Sequence, residues 1–280
     1  MGTEVIVVGV DGSPSSEAAL DWAIEEARVR GARLRLVTAV RVPAHVAFGM
    51  PLDAEEYVHV LADTAPDELR AATERAAGVL GWGRVDRAWA AEAAAVLLTL
   101  HAAEASLLVI GAHSGPRFVA PLLGSTADRL SADAGIPVVV VRGEAATAGR
   151  VVVGVEGGDA PSPALEFAFR AAAARRAELL IVHCADGTAA AAALDDLTTP
   201  VRARYPEVRA SVELPSGQPV DRLVEAAAGA CLLVLGRHAH REPWPVLSGS
   251  TSRRVLRRAP CPVAVVPVPA DRHRVTAGTG

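Results

Sequence analysis

One stretch of this chain is written twice, and its spacing restricts the fold more than any other feature. The first copy is Leu107–Leu108–Val109–Ile110–Gly111–Ala112–His113–Ser114–Gly115, followed by Gly124–Ser125–Thr126. The second is Leu232–Leu233–Val234–Leu235–Gly236–Arg237–His238–Ala239, followed by Gly249–Ser250–Thr251. Gly111 recurs as Gly236 and Gly124 as Gly249, a constant offset of 125 residues. Each copy reads as a buried strand, a glycine turn, a loop, and a glycine at a helix start. A strand that ends in glycine and feeds a helix N-terminus presents free backbone N–H groups, which suit a phosphate. Duplication makes this the plan of the chain rather than an accident of composition.

The duplication extends to the N-terminal parts of both copies. Ile6–Val7–Val8–Gly9–Val10–Asp11 returns as Val151–Val152–Val153–Gly154–Val155–Glu156, where Glu156 stands for Asp11 at an offset of 145. Trp22 and Phe167 match at the same offset on a helix and read as core. The offset falls from 145 to 125 between the second and fourth strands, so the second copy has lost 20 residues there. The loss corresponds mainly to the irregular stretch after Val40, with Pro43, Gly49 and Pro51.

Near-continuous Val/Ile/Leu runs alternating with helical patterns predict parallel strands covered on both faces. The expected fold is α/β: two repeated doubly wound domains, each a five-stranded, mainly parallel sheet with helices on both faces. The boundaries fall at 1–142 and 151–270, with a small polar linker over 143–150 and a loose tail over 271–280. Ligands on such sheets bind beyond the carboxyl ends of the strands, at the topological switch point. Asp11, Ala39 and Gly111 all follow strands at that edge. Sequence alone does not set the strand order.

Composition removes whole classes of chemistry. Every basic side chain other than histidine is arginine; there is no lysine and no asparagine. A P-loop lysine and a Schiff-base lysine are therefore excluded. A net charge of −4 argues against broad binding to nucleic acid or a membrane surface. No apolar run is long enough to span a bilayer, and the first strand begins at Glu4 without a leader, which together predict a cytoplasmic protein. Cys184, Cys231 and Cys261 lie in apolar text and read as buried free thiols of a reducing compartment.

Each candidate residue has a plain structural reading beside the functional one. Asp11 can accept bonds from an adenine amine or a ribose hydroxyl, or serve only as a turn residue in Asp-Gly-Ser-Pro. Gly111, Gly124, Ser125 and Thr126 can cradle phosphate, or be a turn and a helix cap. His113 and His238 are equivalent loop positions. His238 and His240 form a His-x-His pair, but no acidic or thiol cluster accompanies them and no metal site is expected. His183 reads as a satisfied core histidine. No nucleophile elbow, Cys-x-x-Cys or His-Glu-x-x-His is present, so the sequence supports binding better than catalysis.

Assembled, these residues resemble the universal stress protein family in its tandem two-domain form. The carriers are Val8–Gly9–Val10–Asp11–Gly12–Ser13 with Ser16, Ala19 and Leu20; Leu107–Leu108–Val109–Ile110–Gly111; and Gly124–Ser125–Thr126 leading to Ile136–Pro137–Val138. Nucleotide-binding members of that family carry G-x2-G-x9-G-[ST]. Here the motif is Gly111-x2-Ser114-x9-Gly124-Ser125 and Gly236-x2-Ala239-x9-Gly249-Ser250, so both copies keep the outer glycines and replace the middle one. The resemblance implies ATP, with magnesium, as the ligand, and a sensor or regulator that at most hydrolyses ATP slowly. By this likeness Val10, Asp11 and Ala39 meet adenine or ribose. Gly111, His113, Ser114, Gly115, Gly124, Ser125 and Thr126 surround ribose and phosphates. Glu156, Gly236, His238, Ala239, Gly249, Ser250 and Thr251 are the corresponding set in the second half, with Cys184 in the place of Ala39. The longer Glu156 intrudes on its pocket by about one methylene, which ranks the second site below the first. The resemblance also implies pairing of the two halves through their last strands, a pseudo-dimer within one chain, and leaves a further homodimer open. The alternatives are a nucleotide-free dimerising scaffold and an ATP-using enzyme of the adenine-nucleotide α-hydrolase-like group, whose catalytic signatures are absent.

Overall fold

The computed structural model describes residues 3–40, 67–112, 123–142, 148–155, 162–184, 188–238 and 251–268. The first half runs β1 (Val5–Gly9), α1 (Pro14–Arg30), β2 (Arg33–Ala39), α2 (Asp67–Leu80), β3 (Val85–Ala90), α3 (Ala94–Ala102), β4 (Leu107–Gly111), α4 (Ser125–Asp133) and β5 (Val138–Val141). The second runs β6 (Val151–Gly154), α5 (Pro163–Arg175), β7 (Leu179–Val182), α6 (Thr188–Arg202), β8 (Ala210–Glu213), α7 (Pro219–Ala226), β9 (Leu232–His238), α8 (Thr251–Arg258) and β10 (Val263–Val268).

The two halves do not form separate sheets. All ten strands make one sheet in the order β3-β2-β1-β4-β5-β10-β9-β6-β7-β8. Every pairing is parallel except the central one, where β5 and β10 run antiparallel with Val140 opposite Val263, Val139 opposite Ala264 and Val138 opposite Val265. Val139 and Ala264 are equivalent positions of the repeat, so a local twofold axis passes through that pair. Joining the halves here leaves neither β5 nor β10 as an open apolar edge.

The strands are apolar throughout because helices cover both faces. Leu107, Val109, Val151 and Val153 face α1, α2, α5 and α6. Leu108, Val138, Leu233 and Val263 face α3, α4, α7 and α8. Small residues on the inner face of α1, among them Ala19, Ala23 and Ala27, are fully buried and let the helix lie close on the sheet.

Local chemistry sets the ends of the elements. Ser13 caps α1 by accepting a bond from the Ser16 N–H at 3.2 Å, Pro14 supplies the first helical turn, and Gly31 closes the helix in the left-handed region at φ 66°. α5 repeats this with Ser162 and Pro163, but the position equivalent to Gly31 is Arg176, held at φ 51°. The fifth strand begins at Val138, after Pro137, which offers no N–H to the ladder although its carbonyl accepts from Leu108 at 3.0 Å.

Candidate functional site

In the first half, β1 is followed by α1 and β2 on one side while β4 pairs with it on the other. The crevice beyond the carboxyl ends of β1 and β4 is therefore the switch point of the sheet. Three backbone bonds carry the ladder to its mouth: Val10 N–H to Val37, Val40 N–H to Ala90, and Ala112 N–H to Val141, each 2.9 Å. The buried hydroxyl of Thr38 also donates to the Val10 carbonyl at 2.9 Å and ties the exits of β1 and β2 together. Val10, Ala39 and Gly111 are thus held on one rigid edge.

Asp11 opens the loop and is exposed. One carboxylate oxygen accepts from the Ser13 N–H at 3.0 Å, closing an Asx turn that aims Ser13 at the start of α1. The Asp11 N–H donates to Ser16 Oγ at 3.3 Å, and that hydroxyl donates to the Ser13 carbonyl at 3.0 Å. Gly12 sits at φ 72°, and a Cβ there would lie 2.9 Å from Glu68 Cγ of α2. Asp11 thus has a turn function, and among the described residues its second carboxylate oxygen has no hydrogen-bond partner.

Gly111 is needed first by packing. A Cβ on it would lie 2.6 Å from the carbonyl carbon, carbonyl oxygen and Oγ of Ser15, so the first turn of α1 rests directly on this glycine. Gly124 donates to the Ala112 carbonyl at 2.8 Å and accepts from the Asp128 N–H at 2.8 Å, which fixes the start of α4 beside β4. As the N-cap, Gly124 has no side chain to satisfy the amides of the first turn. The N–H groups of Ser125 and Thr126 belong to the set an α-helix cannot pair internally. Thr126 is half-buried and Ser125 exposed. His113, Ser114 and Gly115 lie outside the described residues.

The second half departs from the first at the matching edge. The expectation that its strand ends at Gly236 is corrected: β9 continues through His238, with Gly236, Arg237 and His238 opposite Val266, Pro267 and Val268. The reason is the neighbour. β10 runs on to Val268, whereas β5 stops at Val141, the counterpart of Val266. Gly236 is paired with Val266 as Gly111 is with Val141, so the departure lies in Arg237 and His238; the Gly236 carbonyl accepts from Ser252 Oγ at 3.4 Å. Thr251, first residue of α8, is exposed. Glu156, Ala239, His240, Gly249 and Ser250 lie outside the described residues.

His183 takes the place of Thr38. Its Nδ1 lies 2.8 Å from the Val155 carbonyl, the counterpart of Val10, and must donate there. The ring is half-buried rather than in the core, but its bond is made. Cys184, expected to be buried, is half-exposed; desolvation pushes its thiol up, opposed by the charge of Arg222. Thr38, Ser15 and Glu68 are site-edge residues that sequence reasoning missed. The first could have been found from its offset to His183, but a hydroxyl and an imidazole do not look alike in a sequence. Among the described residues no group of three or more His, Cys, Asp or Glu side chains could hold a metal ion, and no helix is long and apolar enough to cross a membrane.

Comparison with known proteins follows the same two-part division. The profile of the universal stress protein family matches residues 2–142 and again 147–267. This chain belongs to the universal stress protein family. A universal stress protein of Mycolicibacterium smegmatis is 31% identical over 93% of this chain and 96% of its own length. One from Mycobacterium tuberculosis H37Rv is 30% identical over the same shares. Among solved structures, a universal stress protein from Archaeoglobus fulgidus covers 95% of this chain and 99% of its own, with a TM-score of 0.76 and 20% identity. A putative universal stress protein from Pseudomonas aeruginosa covers 95% of this chain and 94% of its own, with a TM-score of 0.64. Both structures share the fold, and the family's tandem form extends over both halves.

Proposed function

We propose that this universal stress protein binds an adenine nucleotide, ATP with magnesium, at the crevice of the first half and serves as a stress-linked sensor or regulator in the cytoplasm. The observation that carries the reading is the start of α4. A glycine cap gives the first amides of that helix no side-chain partner among the described residues, next to the carboxyl end of β4 at the switch point. Residues around it fit such a ligand. The Ser125 and Thr126 amides and hydroxyls suit phosphate oxygens. The outer oxygen of Asp11 suits a ribose hydroxyl or an adenine amine, and the backbone after Ala39 suits the base. Arginine is the sole strong cation of this chain, so phosphate charge would be met by helix amides and magnesium rather than by lysine.

The second half supports binding less well. Beyond the glycine, Arg237 and His238 stay in the ladder where β4 has already ended at Gly111, and the longer Glu156 stands where the first half has Asp11. We assign the nucleotide to the first half and a supporting role to the second.

A scaffold reading without nucleotide is favoured by one observation: Gly111 and Asp11 both have structural duties in the absence of any ligand. Titration calorimetry with ATP and magnesium separates the two. Asp11→Asn keeps an acceptor for the Ser13 N–H, whereas Asp11→Ala removes it. Under the nucleotide reading both variants weaken ATP binding at least tenfold. Binding equal to wild type in both would sink the Asp11 role, and no binding by wild type would leave the scaffold.

A further inference from the structure

We infer that the joint between the two halves is coded by charge for unlike partners, so that each half accepts the other half of its own chain and rejects a copy of itself. The inference is independent of any nucleotide. A symmetric joint between identical halves would be isologous: each contact across the axis would occur twice. Here the backbone has that symmetry and the side chains break it.

The clearest break lies near the axis. Arg253 on α8 donates from Nε to Asp128 on α4 at 2.6 Å, and its Nη2 bonds the second carboxylate oxygen. Residues 128 and 253 are counterparts at the offset of 125. In a pair of first halves this position would set Asp against Asp, and in a pair of second halves Arg against Arg.

The opposite face of the sheet repeats the pattern with deeper burial. Glu26 of α1 has a fully buried side chain and pairs with both Arg30 of α1 and Arg175 of α5. Arg30 and Arg175 are themselves counterparts. Each also lies over the other half's aromatic ring: Arg30 is 5.4 Å from the Phe167 centroid, and Arg175 is 5.4 Å from that of Trp22. Those cation–π contacts are reciprocal, but the carboxylate is not, because the counterpart of Glu26 is Ala171. One buried carboxylate thus serves two largely covered cations. A pair of second halves would bring two arginines together with none.

Two one-way bonds complete the joint. Arg237 donates to the Ala134 carbonyl at 2.6 Å, and Arg142 to the Leu256 carbonyl at 3.0 Å. Their counterparts, Ala112 and Pro267, have no donor side chain to return either bond.

Single substitutions in the full chain recreate the like-with-like arrangements. Asp128→Arg sets Arg against Arg, Arg253→Asp sets Asp against Asp, and the double exchange D128R/R253D restores opposite charges with their places reversed. The readouts are the urea midpoint and amide hydrogen exchange of β5 and β10. Each single variant is expected to lower the folding equilibrium constant by roughly three- to tenfold, and the exchange to recover most of that loss. Glu26→Ala, which gives the first half the Ala171 pattern, is expected to lower it by roughly a hundredfold or more and to speed exchange in β5 and β10 first. If both single variants match wild type, or if the double exchange is no more stable than the singles, the charge code is wrong. Because Asp128 and Arg253 are partly exposed, their variants fold and decide the matter even if Glu26→Ala does not.

Discussion

Replacing Gly111 by alanine asks whether this glycine serves the ligand, the fold, or both. The added methyl would sit 2.6 Å from the Ser15 carbonyl carbon and oxygen, while ordinary van der Waals contact begins at 3.4 Å. The difference, 3.4 less 2.6, means that the first turn of α1 must retreat by about 0.8 Å. It cannot retreat freely, because Ala19, Leu20, Ala23 and Ala27 of the same helix are fully buried against the sheet. The clash includes backbone as well as Ser15 Oγ, so a side-chain rotation alone cannot relieve it, and the cost belongs at the upper part of the overpacking range, about 2–3 kcal/mol. In urea unfolding of nucleotide-stripped protein this lowers the midpoint by about 1 M. The matched control is Gly135→Ala, where a Cβ meets nothing within 4 Å. A G111A midpoint equal to that of G135A would refute the packing argument and return Gly111 to a purely ligand-directed role.

Three further outcomes follow from the geometry. Arg176 occupies the left-handed cap that Gly31 fills in the first half, so Arg176→Gly should raise stability by about 0.5–1 kcal/mol in urea unfolding, and a loss would contradict the strain. Burial, with the neighbouring Cys231 adding to it, pushes the Cys261 thiol up to about 12 from its ordinary value of 9.0. A raised folded value means that this contribution is whole below about pH 9 and is lost as pH climbs toward about 12, so urea midpoints should fall across that window and fall less in Cys261→Ala. Timed alkylation in native buffer should label half-exposed Cys184 well before Cys231 and Cys261, which are closed until the sheet opens; equal rates would contradict the burial.

The sequence made the strands and the repeat plain for a simple reason. Runs such as Val138–Val141 and Leu232–Leu235 are apolar on both faces, as strands of a sheet covered by helices on both sides must be. The constant offsets then carried the first half's pattern onto the second. The resemblance implied that the last strands pair, but which side chains that pairing brings together could not be read. That Asp128 meets Arg253, or that Glu26 meets Arg175, follows only once β5 and β10 are antiparallel neighbours. Trp22 and Phe167 read correctly as buried, but nothing local shows that each carries an arginine from the other half. The Gly236 reading failed because strand length is set by the partner strand, not by the glycine. Asp11 was open to a turn reading and a ligand reading, and the turn is made by one of its two carboxylate oxygens.

The central claim is a nucleotide held in the first half. Freshly purified protein should be denatured, the supernatant chromatographed, and released adenine nucleotide counted per chain, with calorimetric titration of ATP and magnesium into the stripped protein. The account predicts about one ATP per chain, lost in Asp11→Ala. No released nucleotide together with no calorimetric binding would contradict it.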